Sequence, residues 1–124
     1  MPDISIVTAT ARNLIAEMLD DYGLWAVLHV SEPTPTDPLA TIAQMSGQYS
    51  VKIDWVRTGS ILVNASPLTF AGVADMTSVT WIAITTDATG KEILFAGEVE
   101  EPEISREAWD VFTVPAGAVE IVVA

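Results

Sequence analysis

Residues 10–22, TARNLIAEMLDDY, place Leu14, Ile15, Met18, Leu19 and Tyr22 on one stripe at helical spacing, which predicts an α-helix. Thr10 is the expected N-cap and Gly23 the expected C-terminal stop. Asp20 and Asp21 fall at the end of the helix where the macrodipole disfavours anions, which points to exposed positions. From Leu24 the period changes to two. Residues 24–30 alternate Leu24, Ala26, Leu28 and Val30 against Trp25, Val27 and His29. Both sets are largely apolar, so this strand is expected to be covered on both faces. Residues 31–38, SEPTPTDP, carry three prolines and read as a loop, because proline cannot donate to a central ladder. Residues 39–45, LATIAQM, predict one short turn of helix.

From Tyr49 the pattern is that of strands to the end. Residues 49–57 set Tyr49, Val51, Ile53 and Trp55 against Ser50, Lys52 and Asp54, a half-buried alternation. Gly59 marks a turn, and 60–64 and 68–70 are short strands. Residues 78–86 are β-branched and aromatic; Asp87-Ala88-Thr89-Gly90 is a hairpin signal, and 91–99 form the return strand. Residues 100–108 are a polar connection. The chain closes with strands at 109–114 and 118–124, split at Pro115-Ala116-Gly117. In the last strand Val119, Ile121 and Val123 share one face, directed to the core. Ala118, Glu120, Val122 and Ala124 share the other, which apart from Glu120 is too apolar for open solvent. An unpaired strand of this kind is an aggregation hazard, so the chain end is expected to be ordered, paired in a sheet and close to a subunit contact. About eight strands behind one N-terminal helix predict a mainly β fold, a β-sandwich or jelly-roll-like barrel, as a single domain over 1–124.

Composition sharpens this picture. Half the 124 residues are apolar and 18% are charged, against about 25% in an average soluble domain. No apolar run approaches the ~18 residues of a membrane span, and Met1-Pro2-Asp3 lacks the basic start of a signal peptide. Subunit contact is the remaining use for the apolar surplus, since obligate interfaces resemble a core cut in half. Seventeen Asp/Glu against five Lys/Arg give a net charge of −12. Nucleic-acid binding, which needs a basic footprint, is not expected, and an anionic membrane surface would repel the chain. The field suits solubility, a basic partner surface or cation binding.

Catalytic chemistry finds little to stand on. There is no cysteine, no G-x-S-x-G and no glycine-rich phosphate loop. The only histidine, His29, sits in an apolar strand and reads as a packed structural residue. Glu98, Glu100, Glu101 and Glu103 are the densest carboxylates. A solvated rim is their simplest reading; a basic partner patch and a cation site are the alternatives. A calcium-loop pattern is absent. Trp25, Trp55, Trp81 and Trp109 could form a carbohydrate platform, but tryptophans spread through strands are more often core or interface anchors. The expectation is a non-enzymatic protein without cofactor or metal, with Trp25, Trp109, Val122 and Ala124 at an interface.

The arrangement resembles a family of small virion proteins of tailed bacteriophages, variously labelled tail fibre, minor structural or capsid decoration proteins. The resemblance runs through nearly the whole chain in short pieces. A helix and a strand end in Leu28-His29, followed by an acidic proline loop with Glu32-Pro33. Gly47-Gln48-Tyr49 then leads to Trp55, Pro67-Leu68-Thr69-Phe70 follows, and Val79-Thr80-Trp81 opens the hairpin that runs from Gly90 to Gly97. The most specific piece is the end, FTVPAGAVEIVV, 112–123. The resemblance implies a virion structural subunit, with the capsid exterior favoured and the tail as the alternative location. The partners it implies are the major capsid protein or other virion proteins, and further copies of the chain, a homotrimer being favoured. A host glycan or receptor-binding module is the alternative from a different class.

Overall fold

In a computed structural model of the chain, the residues described are 8–43, 45, 48–73, 79–99, 105–106 and 111–123. The helix α1 spans Ala9–Tyr22. Its N-cap is Thr8, not Thr10: the Thr8 hydroxyl accepts from the Ala11 N–H at 3.2 Å, and the helix extends two residues past the expected cap. Gly23 ends it as expected, in the left-handed conformation at φ 80° that a side chain would strain.

Strands follow in the order β1 (Trp25–His29), β2 (Ser50–Lys52), β3 (Trp55–Thr58), β4 (Ile61–Asn64), β5 (Leu68–Phe70), β6 (Trp81–Thr85), β7 (Ile93–Glu98), β8 (Ser105–Arg106), β9 (Phe112–Val114) and β10 (Glu120–Val122). They form three antiparallel sheets, ordered β2-β1-β6-β7, β10-β4-β3 and β5-β9-β8. The protein is thus mainly β and sandwich-like, with one N-terminal helix. One buried cluster joins all three sheets: Leu28 and Ile84 from the first, Leu62 and Ile121 from the second, Phe70 and Phe112 from the third. The Phe70 and Phe112 rings meet edge to face at 6.4 Å and 74°.

Three expectations change. The single strand over 49–57 is two strands in different sheets. The chain corners at Ile53-Asp54, where the Ile53 N–H donates to Leu24 O at 2.9 Å and Asp54 O accepts from Ala65 N at 2.7 Å. The alternation runs through that corner unbroken, which is why it reads as one element. Ser50, expected on the open face, is buried because its hydroxyl donates to Ala88 O at 2.8 Å. Residues 39–43 are not helical. Past the three residues that β2 covers, 41–43 take over the pairing of β1: Ala43 N donates to Leu28 O and Val30 N to Thr41 O, both at 2.9 Å. The connection 100–108 contains β8, paired with β9; residues 100–104 and 107–108 of it lie outside the described set.

β1 is buried on both faces, as its two apolar sets require. Ala26 and Leu28 join the main cluster. Val27 on the other face lies under Gly90, whose Cα approaches so closely that an added methyl would stand 3.4 Å from Val27 Cγ2 and 3.5 Å from the Tyr49 ring.

Candidate functional site

His29 is fully buried. Its Nδ1 stands 2.8 Å from Thr41 Oγ1, and Nε2 has no partner among the described residues. An orphaned N–H costs more than an orphaned lone pair, so the tautomer that donates from Nδ1 to Thr41 is favoured. Desolvation by burial lowers the imidazole pKa below its ordinary 6.5, against the opposing effect of the Thr41 contact, and the ring is neutral in the fold. No carboxylate is hydrogen-bonded to it among the described residues; its one partner there is the Thr41 hydroxyl.

The residue that organises the C-terminal region is one the sequence did not single out. Asn64, at the end of β4, is 2% exposed. Its side-chain amide donates to Ser66 O at 2.9 Å and Pro115 O at 3.0 Å, while its carbonyl accepts from Val119 N at 2.9 Å. Its backbone N–H bonds Val119 O at 3.2 Å, and its O accepts from Gly117 N at 2.9 Å. One residue therefore holds both ends of the Pro115-Ala116-Gly117 turn, Pro115 by its side chain and Gly117, at φ 84°, by its backbone carbonyl. An asparagine in a strand carries no pattern signal; only the spatial return of the chain end makes it a clamp.

Downstream of that clamp β10 pairs with β4, Ile121 opposite Leu62 and Val122 opposite Ile61. Ile121 is 6% exposed, and Val119 and Val123 pack against the core, as the alternation requires. Ala118 departs from its assigned face and packs against the core too. Val122 points outward and is 55% exposed. Of the other interface candidates, Trp25 is half-buried on β1, in a different sheet from Val122, while Trp109 and Ala124 lie outside the described residues. Trp55 and Trp81 are likewise half-buried within strands. Of the acidic run, Glu98 is exposed at the end of β7; Glu100, Glu101 and Glu103 lie outside the described residues. No group of His, Asp and Glu that could hold a metal occurs among the described residues. No helix among them is long and apolar enough to cross a membrane.

Two grooves lie on the surface. On α1 the buried line runs through Ala16, whose small side chain permits close approach of the helix to the sheets. The apolar stripe is rotated onto the flank of that line: Leu14, Ile15, Met18 and Tyr22 are 57, 44, 69 and 64% exposed, and only Leu19 is partly packed on the core. Ile15, Met18, Leu19 and Tyr22 form, with Thr86 and Leu94, an almost wholly apolar groove of about 240 Å³. On the other side of β7 a second groove of about 210 Å³ runs between β7 and the chain before and along β10.

No protein-family model matches the chain, and no curated protein sequence does.

Proposed function

We propose that the chain is a non-enzymatic structural subunit of a tailed-bacteriophage virion, a capsid decoration or minor capsid protein that binds and stabilises the outside of the shell. The observation that carries an assembly role is the display of large apolar side chains on α1 together with Val122 on β10. Surface of that kind, in a chain with so few charges, suits contact with other subunits. The virion setting comes from the resemblance of its motifs, above all 112–123. The net charge of −12 suits an outer layer away from packaged nucleic acid. The partners are the major capsid protein and further copies of the chain, with a trimer favoured and no nucleic acid or membrane. A tail or fibre location is the alternative in the same class. A host-glycan module is supported less, because Trp25, Trp55 and Trp81 sit half-buried in strands rather than on loops.

Dissociating purified virions layer by layer, with mass spectrometry of each fraction, tests the location. The chain should leave with the shell; recovery with detached tails would move it to the tail, and absence from particles would overturn the reading. Light scattering tests self-association: a monodisperse 13.2 kDa species at micromolar concentration would exclude a constitutive oligomer.

A further inference from the structure

β7 is the last strand of its sheet and β10 the last of its own, so each pairs on one side only among the described residues. On the other side of an antiparallel edge strand, every second residue directs its N–H and C=O away from the sheet. These two edge strands form the two walls of one groove. Ile82, Ile84 and Ile121, which are 9, 4 and 6% exposed, lie at its base. Phe95 and Val119 line it higher up, and the exposed Glu98 and Glu120 stand at its rim. Among the described residues its lining contains two carboxylates and no Lys or Arg.

We propose that this groove binds an extended peptide segment of a partner protein by strand addition, one that lays an apolar side chain on Ile82, Ile84 and Ile121 and sets Lys or Arg against Glu98 and Glu120. Three observations fix the class of occupant. The volume of about 210 Å³ is below the ~300 Å³ at which pockets for drug-sized ligands begin, and is enough for one or two side chains. The flanking groups are backbone edges, the chemistry that recognises another strand. The rim charge selects the sign. A second copy of this chain would bring a further net charge of −12. The chain's own first seven residues, Met1-Pro2-Asp3-Ile4-Ser5-Ile6-Val7, carry an aspartate and no Lys or Arg. The inference holds whatever larger assembly the chain belongs to.

Gly97 supplies the test. No heavy atom lies within 4 Å of the place where its side chain would begin, and its φ is not positive, so Gly97→Leu adds bulk beside the groove without backbone strain. The full chain is screened against an array of synthetic peptides, about eight residues each, in which apolar residues alternate with Lys, Ser or Glu. Lys-bearing peptides should bind best. Their amide shifts in nuclear magnetic resonance should concentrate at residues 95–98 and 118–121. Gly97→Leu should abolish binding while its thermal unfolding stays unchanged. Glu98→Lys with Glu120→Lys should weaken Lys peptides about tenfold, the loss of two exposed charge pairs, and favour the Glu peptides instead. Equal binding of Lys and Glu peptides, shifts elsewhere, no binding at all, or binding that Gly97→Leu leaves intact would overturn the proposal. Peptide binding that begins only after residues 2–7 are deleted would assign the groove to the chain's own N-terminus. Self-association lost in Gly97→Leu would assign it to a second copy. Either result also overturns it.

Discussion

β1 and β7 lie two places apart in the same sheet, and their sequences, WAVLH and ILFAGE, are similarly apolar. Four of the five residues of β1 are buried, and β7 is exposed along all but its first residue. The strands differ in what the rest of the chain lays over them. β1 is flanked by β6 on one side and by β2 and then residues 41–43 on the other, and its second face is roofed by Leu39, Tyr49 and Gly90 around Val27. Among the described residues β7 has β6 alone as a ladder partner. Apolar pattern therefore states what a strand can bury, while loops and neighbours decide whether it does. The sealed half carries the fold. The half whose edge strands pair on one side only among the described residues, extended by the apolar flank of α1, is the half to which the proposal assigns a partner.

The sharpest way to break this contrast lies on β10, which borders the open groove yet is anchored from behind. Deleting residues 119–124 removes buried Ile121, the half-buried Val119 and Val123 and the ladder to β4. The burial lost is on the order of 5 kcal/mol, comparable with the whole margin of a small domain, so circular dichroism should show loss of the cooperative transition. A truncated chain with an unchanged midpoint would mean that β10 is an appendage of the open side.

Asn64→Asp comes next. It replaces a donor that faces Ser66 O and Pro115 O with a carboxylate oxygen, placing unpaired charge in a buried position. A loss of about 3 kcal/mol in urea titration is expected. A cost below about 0.5 kcal/mol would show that the turn holds itself.

His29→Gln tests the sealed half more gently. Gln can still reach Thr41 but brings a polar atom without a partner, so about 1–2 kcal/mol should be lost at pH 7.5. The native protein should also show a pH dependence that the variant lacks. The folded pKa is depressed, so the unfolded chain takes up the proton first. The His29 contribution is fully present above the ordinary pKa of 6.5 and is lost as pH falls from there towards the folded pKa. The slope is at most about 1.4 kcal/mol per pH unit. Parallel stability profiles for the two proteins between pH 7.5 and 5 would show that the ring is hydrated. Asp87 acts in the same sense at lower pH. The Thr89 hydroxyl and N–H, at 2.6 and 3.0 Å, hold its pKa below 3.8, so what it contributes is present above that value and is lost on further acidification.

The smallest effects belong to the open side. Phe95→Ser on β7, 38% exposed, should cost about 1 kcal/mol, and Met18→Ser on α1, 69% exposed, no more than about 0.5 kcal/mol. Losses of 2 kcal/mol or more, typical of a core truncation, would show these faces to be covered in the free chain.

Several elements could be read directly from the amino-acid order because their signals are local. Gly23 stops α1 at a positive φ, the 87–90 turn folds on its own Asp87–Thr89 contacts, and β5 falls where Leu-Thr-Phe predicts it. The direction of Ile121 into the core follows from the two-residue period alone. The features that tertiary structure decided are those made by distant partners. The corner at Ile53-Asp54 exists because Leu24 and Ala65, its partners, adjoin strands of different sheets, which the unbroken alternation cannot record. Residues 41–43 pair with the end of β1 because β2 stops short and leaves it open. The helical stripe was visible in the sequence, but its exposure was not: α1 seats its small Ala16 against the sheets and turns the larger side chains aside. Asn64 gained its role from carbonyl and amide groups 51 and 55 residues away. Periodicity describes which side chains travel together along one element; which side of that element meets another depends on pairings that close only when the whole chain has folded.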